Sequence, residues 1–230
     1  MTGRSTTMQR LGLDRDGASA RVVDVNDGII ATGGIVEGLA GAGVGGQAIV
    51  LAAAAALLAG ALSLGGAKYA EAAAEREVQF GLLEEERRLL ELSPAAELAE
   101  LAEIYRARGL SPETAARVAE ELSATDALRA HAEAEYGISG PTADPWPVAV
   151  GAGLSFALGA AVPLTLVLLT PTPWEGAMVY ASTLLALCLT SWIVARVGRT
   201  GFVRVARRAV VVGGLALGLS WLGGQLFAGP

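Results

Sequence analysis

The sequence predicts an all-α membrane protein with five transmembrane helices and a cytoplasmic helical domain inserted between helices 2 and 3. Apolar residues make up 53% of the 230 residues, which exceeds the usual share in a globular protein. Five apolar stretches each have close to the 20 or so residues that a helix needs to cross a bilayer. All 17 lysines and arginines fall in segments that can share one side of a membrane.

The apolar stretches and the basic residues together predict an orientation. Basic residues occupy the N-terminal arm, the segment 68–146 and the loop Arg196–Arg208, whereas the other two connections carry none. Short loops that carry Lys and Arg stay in the cytoplasm, so we expect the N-terminus to be cytoplasmic and the C-terminus to lie outside. The chain would then comprise an arm (1–26), helices 1 and 2 (27–67), the inserted domain (68–146) and helices 3 to 5 (147–230). The five stretches are Gly28–Gly45, Ala48–Gly66, Pro147–Leu169, Ala177–Val197 and Val210–Phe227.

Helix start and stop signals divide the inserted domain. Proline is absent from Gln47–Leu92, so the second span is predicted to continue as one long helix to about Leu92. Ser93-Pro94 and Ser111-Pro112 each place an N-cap hydroxyl before a proline at the first helical position. The first of these two helices is expected to end near Gly109, and a separate last helix is expected over Asp126–Tyr136.

Charge and composition exclude several functional classes. The segment 68–146 holds 17 Asp and Glu residues against eight Lys and Arg residues, which attracts cations and argues against a nucleic-acid partner. The single cysteine, Cys188, allows no intrachain disulfide, and the single histidine, His131, excludes multi-histidine metal sites. Because the sequence contains no nucleophile–base pair, phosphate-binding loop or cofactor motif, we expect neither an enzyme nor a tightly bound cofactor.

Three charged residues near the first two spans are candidates for a transport pathway. Asp27 lies at the cytoplasmic mouth of the first span, where it could receive a divalent cation or only cap the helix. Glu37 lies about 15 Å deeper, near the predicted bilayer midplane, where a carboxyl group either relays protons or is protonated and hydrogen-bonded. Lys68 emerges at about the depth of Asp27. It could pair with Asp27 in the place of a cation, or extend harmlessly into the lipid headgroups.

Acidic residues also recur every seven positions along the long helix and form one stripe. Oxygen-rich sites suit hard divalent cations, but Arg88 lies on the same stripe, so a salt-bridged solvent-exposed face is the alternative interpretation. His131 and Glu135 are spaced i, i+4 and could clamp a metal, although an exposed helix face would explain them equally well. Three consecutive residues, Glu84, Glu85 and Glu86, point in different directions and are not expected to form a site alone. The stripe consists of Glu77, Glu84 and Glu91.

Several motifs, in their order and spacing, resemble the vacuolar iron transporter family over about Val23 to Phe227. The resemblance implies a dimer of five-span subunits with a cytoplasmic helical metal-binding domain. Members of that family export ferrous iron, and often manganese, from the cytosol in exchange for protons. The motifs are Asn26-Asp27-Gly28-Ile29-Ile30, Ala59-Gly60-Ala61-Leu62 with Tyr69, Leu101–Tyr105 with Arg108–Pro112, and Ser155–Pro163.

The resemblance assigns roles to individual positions, and some of these positions depart from the family pattern. Asp27 matches the essential aspartate of the first helix, and His131 occupies a ligand position near the last helix of the cytoplasmic domain. Leu64 stands where the family has a methionine. Domain glutamates are matched by Glu77, Glu91 and Glu135, whereas other family glutamates are replaced by Ala56, Lys68, Phe80 and Arg88.

We therefore expect a homodimeric antiporter of the cell membrane, or of the vacuolar membrane in a eukaryote, that exports Fe²⁺ or Mn²⁺ from the cytosol. Metal gathered by Glu77, Glu84, Glu91, His131 and Glu135 would pass Asp27, Leu64 and Lys68, while Glu37 takes part in proton counter-transport. The expected partners are a second copy of the chain, membrane lipid and divalent metal ions. Loss of the methionine donor favours Mn²⁺. Two alternatives remain open: a metal sensor or scaffold whose pore is blocked by Lys68, and a proton-coupled transporter of another solute.

Overall fold

The computed structural model describes residues 15–140, 143–171 and 174–228, and these residues form seven α-helices without a strand. The predicted N-terminal arm (1–26) lies outside the described residues as far as residue 14, and from Arg15 onwards it belongs to the first helix, which continues into the predicted first span. The chain divides into one unit made of Met1–Ala70 with Asp144–Pro230 and a second unit, Glu71–Ala143. The helices are α1 Arg15–Gly41, α2 Gln47–Leu92, α3 Pro94–Ala107, α4 Pro112–Ala134, α5 Pro145–Leu169, α6 Glu175–Gly198 and α7 Phe202–Ala228.

In the first unit, α1 is the central helix and packs against α5, α6 and α7. Glycines bring the backbones of α1 and α5 together, because Gly28 faces the Phe156 carbonyl and Gly159 faces the Val25 carbonyl. Small residues allow this approach in lipid, where helix packing cannot rely on the hydrophobic effect. A buried apolar cluster lies where the C-terminal end of α1 meets the start of α2, with residues from α5 and α6. Its members are Val36, Ile49, Ala53, Val167 and Val179.

Four of the described helices are long and apolar enough to cross a membrane: α2, α5, α6 from Gly176, and α7. Their outward faces carry large apolar side chains. Leu62, Leu158 and Leu185, for example, are 78%, 70% and 73% exposed in the single chain. Such a continuous apolar surface is unfavourable in water and indicates contact with lipid. The sequence predicts α1 as a fifth span, but α1 does not reach the hydropathy of the other four because it contains Glu37 and several charges before Gly28.

The connection between the last two helices is shorter than the sequence predicts. The predicted loop Arg196–Arg208 is wrong in its extent, because α6 continues to Gly198 and α7 already begins at Phe202. No proline or glycine interrupts the chain from Phe202 to Val212, so the helix can extend past the apolar stretch and carry its arginines on its first turns. Arg199 ends α6 in the left-handed conformation, with φ 52°.

The second unit contains the end of α2 together with α3 and α4. Both Ser-Pro pairs start helices as predicted, and Gly109 follows the first of these helices with φ +101°. The predicted last helix over Asp126–Tyr136 is confirmed at its start, because Asp126 is non-helical (φ −165°, ψ 93°) and divides α4 into two helical segments, while its end at Ala134 comes two residues earlier than predicted. The Asp126 carboxylate accepts a hydrogen bond from the Arg129 amide at 3.0 Å, which restarts the helix locally. Leu101 and Ala119, both fully buried, join α3 to α4.

Candidate metal pathway and helical metal site

Three carboxylates lie along the central helix α1, but in different environments. Asp24 and Glu37 are buried, at 5% and 4% exposure, whereas the side chain of Asp27 is exposed on the single chain. The sequence places Asp27 at the mouth of the pathway and does not single out Asp24. Asp24 is one helical turn earlier and could have been recognised from its i, i+3 spacing to both Arg21 and Asp27.

Positive charge surrounds the Asp24 carboxylate. The guanidinium of Arg21 lies 3.7 Å from Asp24 Oδ2 and donates hydrogen bonds to the carbonyl oxygens of Val148 (3.1 Å) and Pro147 (3.4 Å). Burial raises the pKa of Asp24, and the nearby charges of Arg21 and Lys68 oppose that rise only in part. Arg21 therefore joins α1 to the first turn of α5. Lys68 from α2 adds a second positive charge near Asp24. Leu64, one turn before Lys68, is partly buried like Lys68 itself.

The sequence predicts Glu37 near the bilayer midplane, whereas in the structure Glu37 lies close to one end of the helix bundle. It precedes the last residue of α1 by only one turn, and its carboxylate faces Gly176 in the first turn of α6. A helix N-terminus carries partial positive charge and unpaired amide groups, so it favours a nearby carboxylate. Among the described residues, Glu37 Oε1 has no hydrogen-bond partner. A buried carboxyl oxygen without a partner can bind a proton, a water molecule or a cation.

A line of polar groups follows the contact between α1 and α6 from Asn26 towards Glu37. The Thr190 hydroxyl donates a hydrogen bond to Asn26 Oδ1 at 2.6 Å. Farther along, Thr183 of α6 lies against Gly33 of α1. Thr183 and Thr32 are fully buried, and neither hydroxyl has a hydrogen-bond partner among the described residues. Buried hydroxyls normally find partners, so these two mark a polar position inside an apolar bundle. We call Asn26, Thr183 and Thr190 the α1–α6 polar seam.

The predicted acidic stripe of Glu77, Glu84 and Glu91 lies on the exposed surface of α2. Glu84 pairs with Arg87 at 2.7 Å, and Arg88 holds Glu85 through two hydrogen bonds of 2.5 and 3.1 Å. The sequence placed Arg88 between Glu84 and Glu91, but its i−3 partner is Glu85. The hydrogen bonds from Arg88 lower the pKa of Glu85. The stripe thus lies beside solvated ion pairs, and its role in holding metal stays a prediction.

A second, buried group of metal-binding side chains lies inside the helical unit. Glu86 from α2, Glu97 from α3 and His131 from α4 are 1%, 6% and 0% exposed, and each offers a ligand atom within 4.8 Å of the others. His131 Nδ1 lies 3.0 Å from Glu86 Oε1 and 4.0 Å from Glu135 Oε2. Burial raises the pKa of Glu86, while the nearby His131 opposes that shift. We call Glu86, Glu97 and His131 the buried triad.

The predicted metal ligands therefore fall into two groups, one at the buried triad and one on the exposed surface. His131 and Glu135 are adjacent, as their i, i+4 spacing predicts, but His131 turns its ring towards Glu86, and the three stripe glutamates are exposed. The sequence did not identify Glu86 or Glu97 as site residues. Glu97 precedes the buried Leu101 by four residues, and that spacing was an available signal that it shares the inward face of α3.

Comparison with known proteins identifies relatives that match almost the whole chain. The VIT family model matches residues 18–225. A vacuolar iron transporter of Acanthamoeba castellanii is 34% identical over 204 residues, which cover 87% of this chain and 75% of that protein. Vacuolar iron transporter 2 of Oryza sativa subsp. japonica is 28% identical over 197 residues, which cover 83% of this chain and 79% of that protein. Together with the motifs of α1, α2 and α5, this match establishes that the chain is a membrane protein belonging to the VIT family.

Proposed function

We propose that this protein exports a divalent metal ion, Fe²⁺ or Mn²⁺, from the cytosol in exchange for protons. The names of two relatives, both vacuolar iron transporters, support an iron substrate. The observation that carries the proton-coupling part is Glu37, a carboxylate with 4% exposure inside the bundle and with one oxygen unpartnered among the described residues. Burying a charged carboxylate among apolar helices is unfavourable unless a proton or a cation neutralises it, so Glu37 is suited to bind either one.

Asp27 is proposed as the residue that receives the metal, and Glu37 as the residue that takes up the counter-transported proton. The α1–α6 polar seam connects the level of Asn26 with that of Glu37 and provides hydroxyl and amide groups along an otherwise apolar path. Hydroxyl groups both donate and accept hydrogen bonds, so they can order water and pass protons. The exposed stripe Glu77, Glu84 and Glu91 would raise the local concentration of cations around the helical unit.

Orientation and assembly belong to the same proposal. A cytoplasmic N-terminus, an outside C-terminus, α1 as the fifth span and a homodimer follow from the basic residues and the family resemblance. In a Cys188→Ser background, single cysteines at Ala20, before the predicted first span, and at Ala228, after the last, would test orientation and an odd number of spans with an impermeant maleimide in sealed vesicles. We expect the two positions to be labelled from opposite sides. Labelling of both from one side would contradict an odd number of spans.

Flux in proteoliposomes tests the transport activity. With an imposed pH gradient, wild-type protein should move Mn²⁺ and Fe²⁺, Asp27→Ala should lose metal flux, and Glu37→Gln should lose its coupling to the gradient. Glu120→Gln, an exposed carboxylate in the helical unit, is the matched control and should transport normally. Absence of flux from folded wild-type protein would refute the proposal. Flux of protons that is insensitive to metal would instead identify a transporter of another solute.

A non-transporting metal sensor or scaffold is the second candidate, and the charges near Asp24 favour it. Arg21 and Lys68 both place positive charge beside this carboxylate, one helical turn from Asp27. A fixed cation there would repel a divalent metal. If Lys68→Gln converts an inactive protein into a metal transporter, the wild-type chain is blocked as this candidate requires.

A further inference from the structure

We propose that the buried triad Glu86, Glu97 and His131 is a binding site for a divalent transition-metal ion within one subunit. The family resemblance implies a metal-binding helical domain and a ligand role for His131. The new elements are the buried position of the site and its ligands Glu86 and Glu97, which lie apart from Asp27, Glu37 and the exposed acidic stripe. Its ligands come from three different helices, so an ion bound there would tie α2, α3 and α4 together. Neither the motifs nor the seven-residue acidic repeat assigns Glu86 or Glu97 to a metal.

The first line of support is unsatisfied burial. His131 is fully buried, yet neither ring nitrogen makes a hydrogen bond among the described residues, and Glu86 Oε1 likewise has no partner. The His131 Nδ1–Glu86 Oε1 separation of 3.0 Å is short, but its geometry is not that of a hydrogen bond. Burying such groups without partners costs several kcal/mol, whereas a shared cation would satisfy the imidazole and both carboxylates at once.

The second line of support is the spacing of the donor atoms. Ligands of a tetrahedral ion with bonds of about 2.0–2.2 Å lie roughly 3.4 Å apart. The triad atoms lie within 4.8 Å of one another, so modest side-chain rotations would bring all three to one ion. Glu135 Oε2, 4.0 Å from His131 Nδ1, can supply a fourth oxygen. Tyr136 contacts the other oxygen of Glu86 at 3.5 Å and would orient that carboxylate.

The donor set defines the class of metal. One imidazole nitrogen with two or three carboxylate oxygens suits borderline ions such as Zn²⁺, Fe²⁺ and Mn²⁺, while Mg²⁺ and Ca²⁺ prefer oxygen alone. For a site of this kind the affinity rises from Mn²⁺ through Fe²⁺ to Zn²⁺. We therefore expect Zn²⁺ to bind most tightly of these three in solution, even where the transported ion is Fe²⁺ or Mn²⁺.

The single histidine makes the test unusually direct. Full-length protein, purified in detergent with its affinity tag removed and stripped of metal, is titrated with Zn²⁺ and Mn²⁺ by calorimetry. Zinc-edge X-ray absorption then reports on the ligands, and any imidazole scattering must come from His131. We expect wild-type protein to show one imidazole with oxygen ligands. His131→Gln should lose that signal and weaken Zn²⁺ binding by about 10-fold or more.

The matched control is the triple variant Glu77→Gln, Glu84→Gln, Glu91→Gln, which neutralises the exposed stripe and leaves the triad intact. It should keep the imidazole signal, because none of the three stripe residues belongs to the triad. Loss of the signal in this variant, or a wild-type spectrum with oxygen ligands alone, would overturn the proposal and leave His131 and Glu86 as a buried ion pair. If His131→Gln fails to fold, the spectra of the wild type and the stripe variant still decide.

Flux measured on the same samples separates this proposal from the transport activity. Imidazole-bound zinc in a protein that moves no metal would refute transport and support the site. Flux from a wild-type protein without an imidazole–zinc signal would support transport and refute the site.

Discussion

Replacing Gly28 with alanine should strongly destabilise the bundle, because it inserts a methyl group between two helix backbones. A Cβ atom at Gly28 would lie 2.8 Å from the amide nitrogen of Ala160 and closer still to the Phe156 carbonyl oxygen. Ordinary contacts between such atoms are about 3.4 Å, and backbone atoms of α5 cannot rotate away as a side chain can. Helices α1 and α5 would therefore have to separate by about 1 Å along their closest contact.

The cost of overpacking a tight contact is typically 1–3 kcal/mol, and the rigid backbone on both sides places Gly28→Ala near about 3 kcal/mol. Gly159→Ala, on the opposite side of the same contact, should behave alike, since its Cβ would meet the Val25 carbonyl and the Ile29 amide. Because the two substitutions widen one shared gap, their combined effect should be smaller than the sum of the single effects.

Thermal unfolding in detergent, followed by the loss of monodisperse protein on gel filtration, measures these effects. Gly218→Ala in α7 is the control, because a Cβ there has no atom within 4 Å and alanine is the better helix former. It should leave the midpoint unchanged or raise it slightly. Equal midpoints for Gly28→Ala and Gly218→Ala would refute the close α1–α5 contact and the central position of α1.

Three further substitutions test the surroundings of the pathway. Arg21→Gln removes the hydrogen bonds to the Val148 and Pro147 carbonyls and should cost about 1–3 kcal/mol, again measured by thermal unfolding. Asn26→Ala breaks the hydrogen bond from Thr190 and should cost only about 0.6 kcal/mol, the average for such bonds between membrane helices, so a much larger loss would indicate a wider polar network. Lys68→Gln should increase Mn²⁺ flux in proteoliposomes if the ammonium hinders the cation, and a flux unchanged from wild type would indicate that Lys68 extends to the lipid headgroups.

Local signals in the sequence were sufficient to predict most helix boundaries. Ser93-Pro94 and Ser111-Pro112 mark helix starts through capping and the fixed φ of proline, which act within a few residues. The absence of proline from Gln47–Leu92 likewise predicts one uninterrupted helix. Asp126 also marks a helix start through its capping carboxylate, although no loop separates that second segment of α4 from the first.

The buried triad could not be predicted in the same way, because its members become neighbours only through the packing of three helices. Glu84, Glu85 and Glu86 are consecutive, and only contacts with α3 and α4 determine that Glu86 alone turns inward. Its spacing to Leu82 and Leu89, four residues before and three after, was a local indication of an inward position. Local periodicity can thus suggest that a glutamate is buried, but it cannot identify the helix that will cover it.

The proposal that α1 is the fifth span draws its support from the neighbours of α1 rather than from its own hydropathy. A helix exposed to lipid must be apolar over much of its surface, whereas a helix surrounded by other helices can carry polar groups that those helices cover. Along its length α1 contacts Thr190 from Asn26, Phe156 from Gly28 and Ser220 from Gly38. These contacts lie on α6, α5 and α7, and all three are apolar enough to span a membrane. A helix that stays in contact with three such neighbours over this distance shares their depth, so its lower hydropathy reflects its central position.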